Sequence, residues 1–181
     1  TLDIEMPVMD GLTALQAIMR DCPTQVLMLS SLTTDGSRAA LRALALGAAD
    51  VLAKDTSQIS LSITNIQQEL IAKVRALGSV RRTRSARLLR PATIPVAGPR
   101  FRPGQFDVVC IGSSTGGPPV LETILTRLPT TLATPVVVAQ HMPPVFTASL
   151  AERLGGMCAL RVVHAADRMR LERHTIYIAP G

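Results

Sequence analysis

Apolar positions in this chain fall into two alternating series, separated by a stretch in which no periodicity survives. The first series opens at Thr1-Leu2, which predict the tail of a strand, and continues through a polar turn region to Leu12, Leu15, Ile18 and Met19 at helical spacing. Pro23 closes that helix. Val26-Leu27-Met28-Leu29 predicts a buried strand ending in Ser30-Ser31. Ala40, Leu41 and Leu44 form one face of a second helix stopped at Gly47. Val51-Leu52-Ala53 is a short strand with Lys54 at its end, and Ile63, Ile66, Leu70, Val74 and Leu77 predict a longer helix. Alternating strands and helices imply a parallel sheet, hence an α/β fold.

Residues 78–105 break the pattern with Arg, Pro, Gly and Ser, which predicts a linker. A second alternating series follows. It has a buried strand at 107–112, a helix from Pro118 to about 128, a strand at 135–140 and a helix at about 146–154. Strands near 160–163 and at 175–178 complete it. The expected division is therefore 1–77, a linker 78–105, and a second unit 106–181. The chain opens without Met and stops after a strand, so a fragment lacking both ends is expected.

Charge first suggests nucleic acid, since the net charge is +6. Its location removes that reading. Residues 74–106 hold eight arginines and no acid, which exceeds the net charge of the whole chain. Basicity thus belongs to the linker, where a solvated strip or a docking strip for an acidic partner fits. No aromatic platform accompanies it, so no nucleic-acid partner is expected. No apolar run is long enough to insert in a membrane, and Cys22, Cys110 and Cys158 form no pairing or zinc pattern. A cytoplasmic setting is expected.

Chemistry concentrates at strand ends, where parallel sheets bind ligands. Gly112-Ser113-Ser114-Thr115-Gly116 spells G-x-S-x-G, which lifts the central serine clear of the sheet beside free N–H groups at a helix start. Such a serine can attack a carbonyl while the N–H groups hold an oxyanion. The plain alternative is a glycine-rich turn that only packs or binds an anion. A nucleotide-binding P-loop is excluded, because Pro118-Pro119 stand where Lys-Ser/Thr must follow. His141 follows the next strand and is the candidate base. His164 lies near a strand end, and His174 precedes a strand. The carboxylates Asp167 and Glu172 follow no apolar strand, so the third member of a triad is expected beyond Gly181. In the first unit Asp3, Ser30 and Lys54 share one sheet edge, a carboxylate, hydroxyl and ammonium suited to accepting a phosphoryl group.

These residues carry a family resemblance. Asp3-x-x-Met6-Pro7-x-x-Asp10-Gly11, Val26-Leu27-Met28-Leu29-Ser30-Ser31 and Lys54 resemble a response-regulator receiver domain from its third strand onward. Ile111-Gly112-Ser113-Ser114-Thr115-Gly116-Gly117, Gln140-His141-Met142-Pro143-Pro144, Ala151-Glu152-Arg153-Leu154 and Tyr177-Ile178-Ala179-Pro180-Gly181 resemble the catalytic domain of the CheB family of chemotaxis methylesterases. The resemblance implies a partial flavodoxin-like receiver followed by a doubly wound parallel-sheet esterase, both truncated. It makes Ser114 the nucleophile, His141 the base, and Thr115, Gly116 and Gly117 the active-site loop. Asp3 becomes the phosphorylated aspartate and a partial metal site, with Ser30 and Lys54 as switch residues. Asp55 stands where receivers usually carry a proline.

The activity implied is phosphorylation-regulated hydrolysis of glutamate γ-methyl esters on chemoreceptors, with glutamine deamidation as related chemistry. The resemblance also implies that the receiver covers the esterase site until Asp3 is phosphorylated. A histidine kinase would be the phosphodonor, Mg²⁺ would serve phosphorylation in the complete protein, and the esterase would need no cofactor. The fragment itself is expected to be inactive. Two alternatives carry less. One is a non-enzymatic response regulator whose second domain binds a partner. The other is an α/β-hydrolase, which places its histidine last and usually far downstream.

Overall fold

The computed structural model describes residues 1–54, 61–79 and 106–181. Two parallel sheets are built in the order the apolar pattern implies. The first has strand order β1-β2-β3, with β1 at Leu2–Asp3, β2 at Leu27–Ser31 and β3 at Asp50–Lys54. Leu2 pairs with Met28, Leu27 with Asp50 and Ser31 with Lys54.

Helix α1 (Gly11–Asp21) starts where the Asp10 carboxylate accepts the Thr13 N–H at 2.7 Å. Gly11 is required there, because a Cβ would run into the carbonyl of Asp3. Helix α2 (Thr34–Ala45) is capped by the Thr33 hydroxyl. It ends in a Schellman turn, with Ala48 N–H on the Ala43 carbonyl, Gly47 N–H on Leu44, and Gly47 at φ +105°. Leu15, Met28, Leu41 and Leu44 form the core beneath these helices. Helix α3 spans Leu61–Ser79, two residues past the expected start of the linker. The Ser79 hydroxyl donates back to the Ala76 carbonyl and holds that last turn. The rest of the expected linker, and Asp55, lie outside the described residues.

The second sheet has strand order β4-β5-β7-β6. Its strands are β4 (Val109–Ser113), β5 (Val136–Gln140), β6 (Arg161–His164) and β7 (Thr175–Ile178). Helices α4 (Gly117–Leu125) and α5 (Pro144–Gly155) connect them. Leu121, Leu125, Val136, Val138, Leu150, Leu154, Ile176 and Ile178 fill the core. One expectation needs correction. The strand expected to be buried at 107–112 runs over 109–113, and its Val109 and Cys110 are exposed. An apolar run reads alike whether one or both faces are covered. Among the described residues β4 pairs on one side only, with β5, and its ladder starts where β5 does: Val109 N–H donates to the Pro135 carbonyl.

The two halves meet along α2 and α5. A buried Ser37–Ser149 hydroxyl pair lies at that seam, and the Arg38 guanidinium donates to both oxygens of Glu152 at 3.0 and 3.1 Å. The ion pair is well exposed and adds little stability.

Candidate active site

Register places the candidate pair, Ser114 and His141. Gly112 pairs with Ala139 and Ser113 with Gln140, so Ser114 and His141 leave the sheet side by side. The His141 N–H donates to the Ser113 carbonyl at 2.9 Å and locks that juxtaposition. Ser114 Oγ then lies 3.3 Å from His141 Nδ1, with both residues exposed. That distance suits a base that tightens onto its nucleophile when substrate binds. Since Nδ1 faces the serine, only the tautomer with its proton on Nε2 can accept from Ser114.

The turn itself is held by Gly116, left-handed at φ +74°, and by Gly117 N–H donating to the Ser114 carbonyl at 2.8 Å. Beneath it lies Gln140, which the sequence reading left out of the site. Its Oε1 accepts from Ser113 Oγ at 2.6 Å. Its Nε2 donates to the Ser114 carbonyl at 3.0 Å and the His141 carbonyl at 3.3 Å. One buried amide thus ties the serine turn to the histidine strand. Gly117 lies so close that a Cβ would enter the Gln140 amide. The signal for Gln140 was a polar residue ending an apolar strand directly before a candidate base.

Other candidates are placed elsewhere. His164 Nε2 meets Thr147 Oγ1 at 3.0 Å, and His174 Nδ1 meets the Thr130 carbonyl. Asp167 pairs with Arg168 and Glu172 with Arg161. Among the described residues no carboxylate is hydrogen-bonded to His141.

At the first sheet, Lys54 Nζ grips both oxygens of Asp3 at 2.9 and 2.8 Å. Partial burial pushes the Asp3 carboxyl up. The Lys54 ammonium and the N–H groups of Glu5 and Ile4 outweigh it and leave Asp3 below the usual carboxylate range. Ser30 does not join them: it is buried, and its hydroxyl donates to the Gly36 carbonyl at 2.8 Å. Its neighbour Ser31 instead donates to Glu5. Among the described residues no group of three or more His, Cys, Asp or Glu could hold a metal ion. Mg²⁺ favours six oxygens, commonly one or two carboxylates with phosphate and water. Asp3 alone, engaged by Lys54, is not a full donor set.

A cleft of ≈ 250 Å³ runs between the halves beside His141, walled by Asp50, Lys73, Gln140, Met142 and Phe146. Asp50 and Lys73 were also absent from the sequence reading. Asp50 Oδ2 accepts from Lys73 Nζ at 2.6 Å and from Thr115 Oγ1 at 2.9 Å.

Each part of the chain is similar to a known family. Residues 109–181 match the CheB methylesterase family and residues 1–64 match the response regulator receiver domain. The second part of the chain is thus similar to CheB methylesterases and the first part to receiver domains. A protein-glutamate methylesterase/protein-glutamine glutaminase of Geobacillus kaustophilus is 47% identical across 100% of this chain and 52% of its own length. A second, from Nitratidesulfovibrio vulgaris, is 43% identical across 100% of this chain and 55% of its own length. The chain thus spans about half the length of the curated relatives it matches. The crystal structure of the Thermotoga maritima CheB methylesterase catalytic domain is 49% identical, covering 41% of this chain and 40% of that one, with a TM-score of 0.40. Among the described residues no helix is long and apolar enough to cross a membrane.

Proposed function

We propose that this chain is part of a cytoplasmic enzyme that hydrolyses glutamate γ-methyl esters on chemoreceptors, under control of phosphorylation at Asp3. The supporting observation is Ser114 Oγ at 3.3 Å from His141 Nδ1, at adjoining ends of two parallel strands. Residues 1–77 would be the receiver part, 78–105 the linker and 106–181 the esterase part.

Ser114 Oγ attacks the ester carbonyl while His141 Nδ1 takes its proton. Free N–H groups after Ser114, that of Thr115 first, hold the oxyanion. The C–O bond to the methoxy group breaks, the proton on His141 passes to it, and methanol leaves an acyl-serine. Water gives a proton to His141 and attacks; the proton returns to Ser114 and glutamate is released. Glutamine reacts by the same path with ammonia leaving. In the receiver part, Asp3 takes the phosphoryl group from the phosphohistidine of a kinase, and Lys54 turns to a phosphoryl oxygen. In the complete protein Mg²⁺ would supply further charge neutralisation there.

The test is methanol release from methylated receptor by the full-length protein, with and without phosphodonor. Release that requires Ser114 and rises on phosphorylation supports the reading. Phosphorylation at Asp3 with no release under any condition would favour a non-enzymatic regulator.

A further inference from the structure

The active-site loop is held from outside its own sheet. Thr115 follows Ser114, and its hydroxyl donates to Asp50 Oδ2 at 2.9 Å, across the seam between the halves. The same oxygen takes the Lys73 ammonium at 2.6 Å, while Oδ1 accepts the Val51 N–H at 2.8 Å. Both charged side chains are largely buried, with 12% of Asp50 and 14% of Lys73 exposed. Asp50 begins β3 and Lys54, the partner of Asp3, ends it. The two are about 13 Å apart at ~3.3 Å per residue. One strand therefore joins the phosphoryl-accepting carboxylate to the loop that carries the nucleophile.

We propose that Asp50 is a positioning residue acting as a latch: it holds the Thr115 hydroxyl, restrains the loop after Ser114, and sets carboxylate charge beside the oxyanion site while the halves are docked. This rests on the esterase reading. The Thr115 N–H is the first oxyanion donor in that reading, and a nearby negative charge opposes the charge that develops there. Lys73 keeps Asp50 from being an unpaired buried ion. The latch needs Asp50's own acceptor and charge, so it is distinct from simple coverage of the cleft by the receiver part.

The test uses full-length protein as Asp50→Ala and Asp50→Asn. Methanol release from methylated receptor is measured with and without acetyl phosphate. Amide hydrogen exchange of residues 114–117 is measured in the unphosphorylated state. Asp50→Ala should raise the unphosphorylated rate about ten-fold, the factor corresponding to ~1.4 kcal/mol, and leave the phosphorylated rate within about two-fold. Asp50→Asn keeps an acceptor and should rise less. Exchange at 114–117 should quicken in Asp50→Ala and in Thr115→Val, with the double variant no faster than either. An unchanged unphosphorylated rate, or unchanged exchange, overturns the latch. If Asp50→Ala does not fold, Asp50→Asn decides on the same criteria. A wild type with no activity even when phosphorylated would sink the esterase reading instead, and the exchange measurement would still decide whether Asp50 holds Thr115.

Discussion

Replacing Gln140 by Leu tests whether one buried amide organises the candidate site. The substitution keeps roughly the same volume and removes three hydrogen bonds, to Ser113 Oγ and to the carbonyls of Ser114 and His141. Each neutral bond contributes about 1 kcal/mol net, less for the long one at 3.3 Å. Burying the leucine side chain returns about 1 kcal/mol. A net loss of roughly 2 kcal/mol is expected. Tyr177 is the chain's one tyrosine, there is no tryptophan, and Tyr177 is buried in β7. Its fluorescence therefore reports urea unfolding of the second sheet, and the loss should appear as a lower midpoint at unchanged slope. Freed from Gln140, the Ser114 turn and the His141 strand end can shift against each other. A misplacement of ~1 Å costs about 10²-fold in rate in the full-length enzyme. Gln140→Glu should be worse near pH 7, because an ionised carboxylate would face two carbonyl oxygens. It should recover as pH falls towards about 5 and the carboxyl protonates. Stability within about 0.5 kcal/mol of wild type for Gln140→Leu, with activity kept, would refute the reasoning.

Ser114→Ala should abolish methanol release in the full-length protein, and His141→Ala should cost almost as much, with the double variant little worse. Ser113→Ala should be milder, since Ser113 only supports Gln140; if it were the inactivating change, the register of the turn would be wrong. Gly117→Ala should destabilise the second sheet by about 1–3 kcal/mol, through a methyl group forced into the Gln140 amide; an unchanged urea midpoint would contradict that. Asp3 is held below its ordinary value of 3.8, so its contribution to stability is present above that pH and lost as pH falls through the lower folded value. Lys54→Ala should remove that part of the acid dependence, read as a flatter stability curve below about pH 4. An identical acid limb in both proteins would count against the Asp3–Lys54 pair.

Much of this protein is legible along the chain because its determinants are local. Continuous apolar runs and helical spacing mark the strands and helices, and Gly47 marks a helix end whose cap the structure displays. Ser114 and His141 were legible as well, since each directly follows a strand and parallel strands present such residues at one edge. What the pattern could not carry is which surfaces meet. The apolar run of β4 does not say that, among the described residues, it pairs with β5 alone. Ser30 aligns with Asp3 by strand position, yet its hydroxyl satisfies the nearby Gly36 carbonyl, because a buried polar group takes the partner within reach. Gln140 and Asp50 look like ordinary strand-end polar residues. Their hydrogen bonds span 26 residues from Gln140 to Ser114 and 65 from Asp50 to Thr115, so nothing local names those partners, even where strand-end position marks Gln140 itself. Local propensity and periodicity wrote the elements and the candidate pair into the sequence; the contacts that hold that pair arise only where the packed sheets and helices exclude water and leave each buried polar group few partners to choose from.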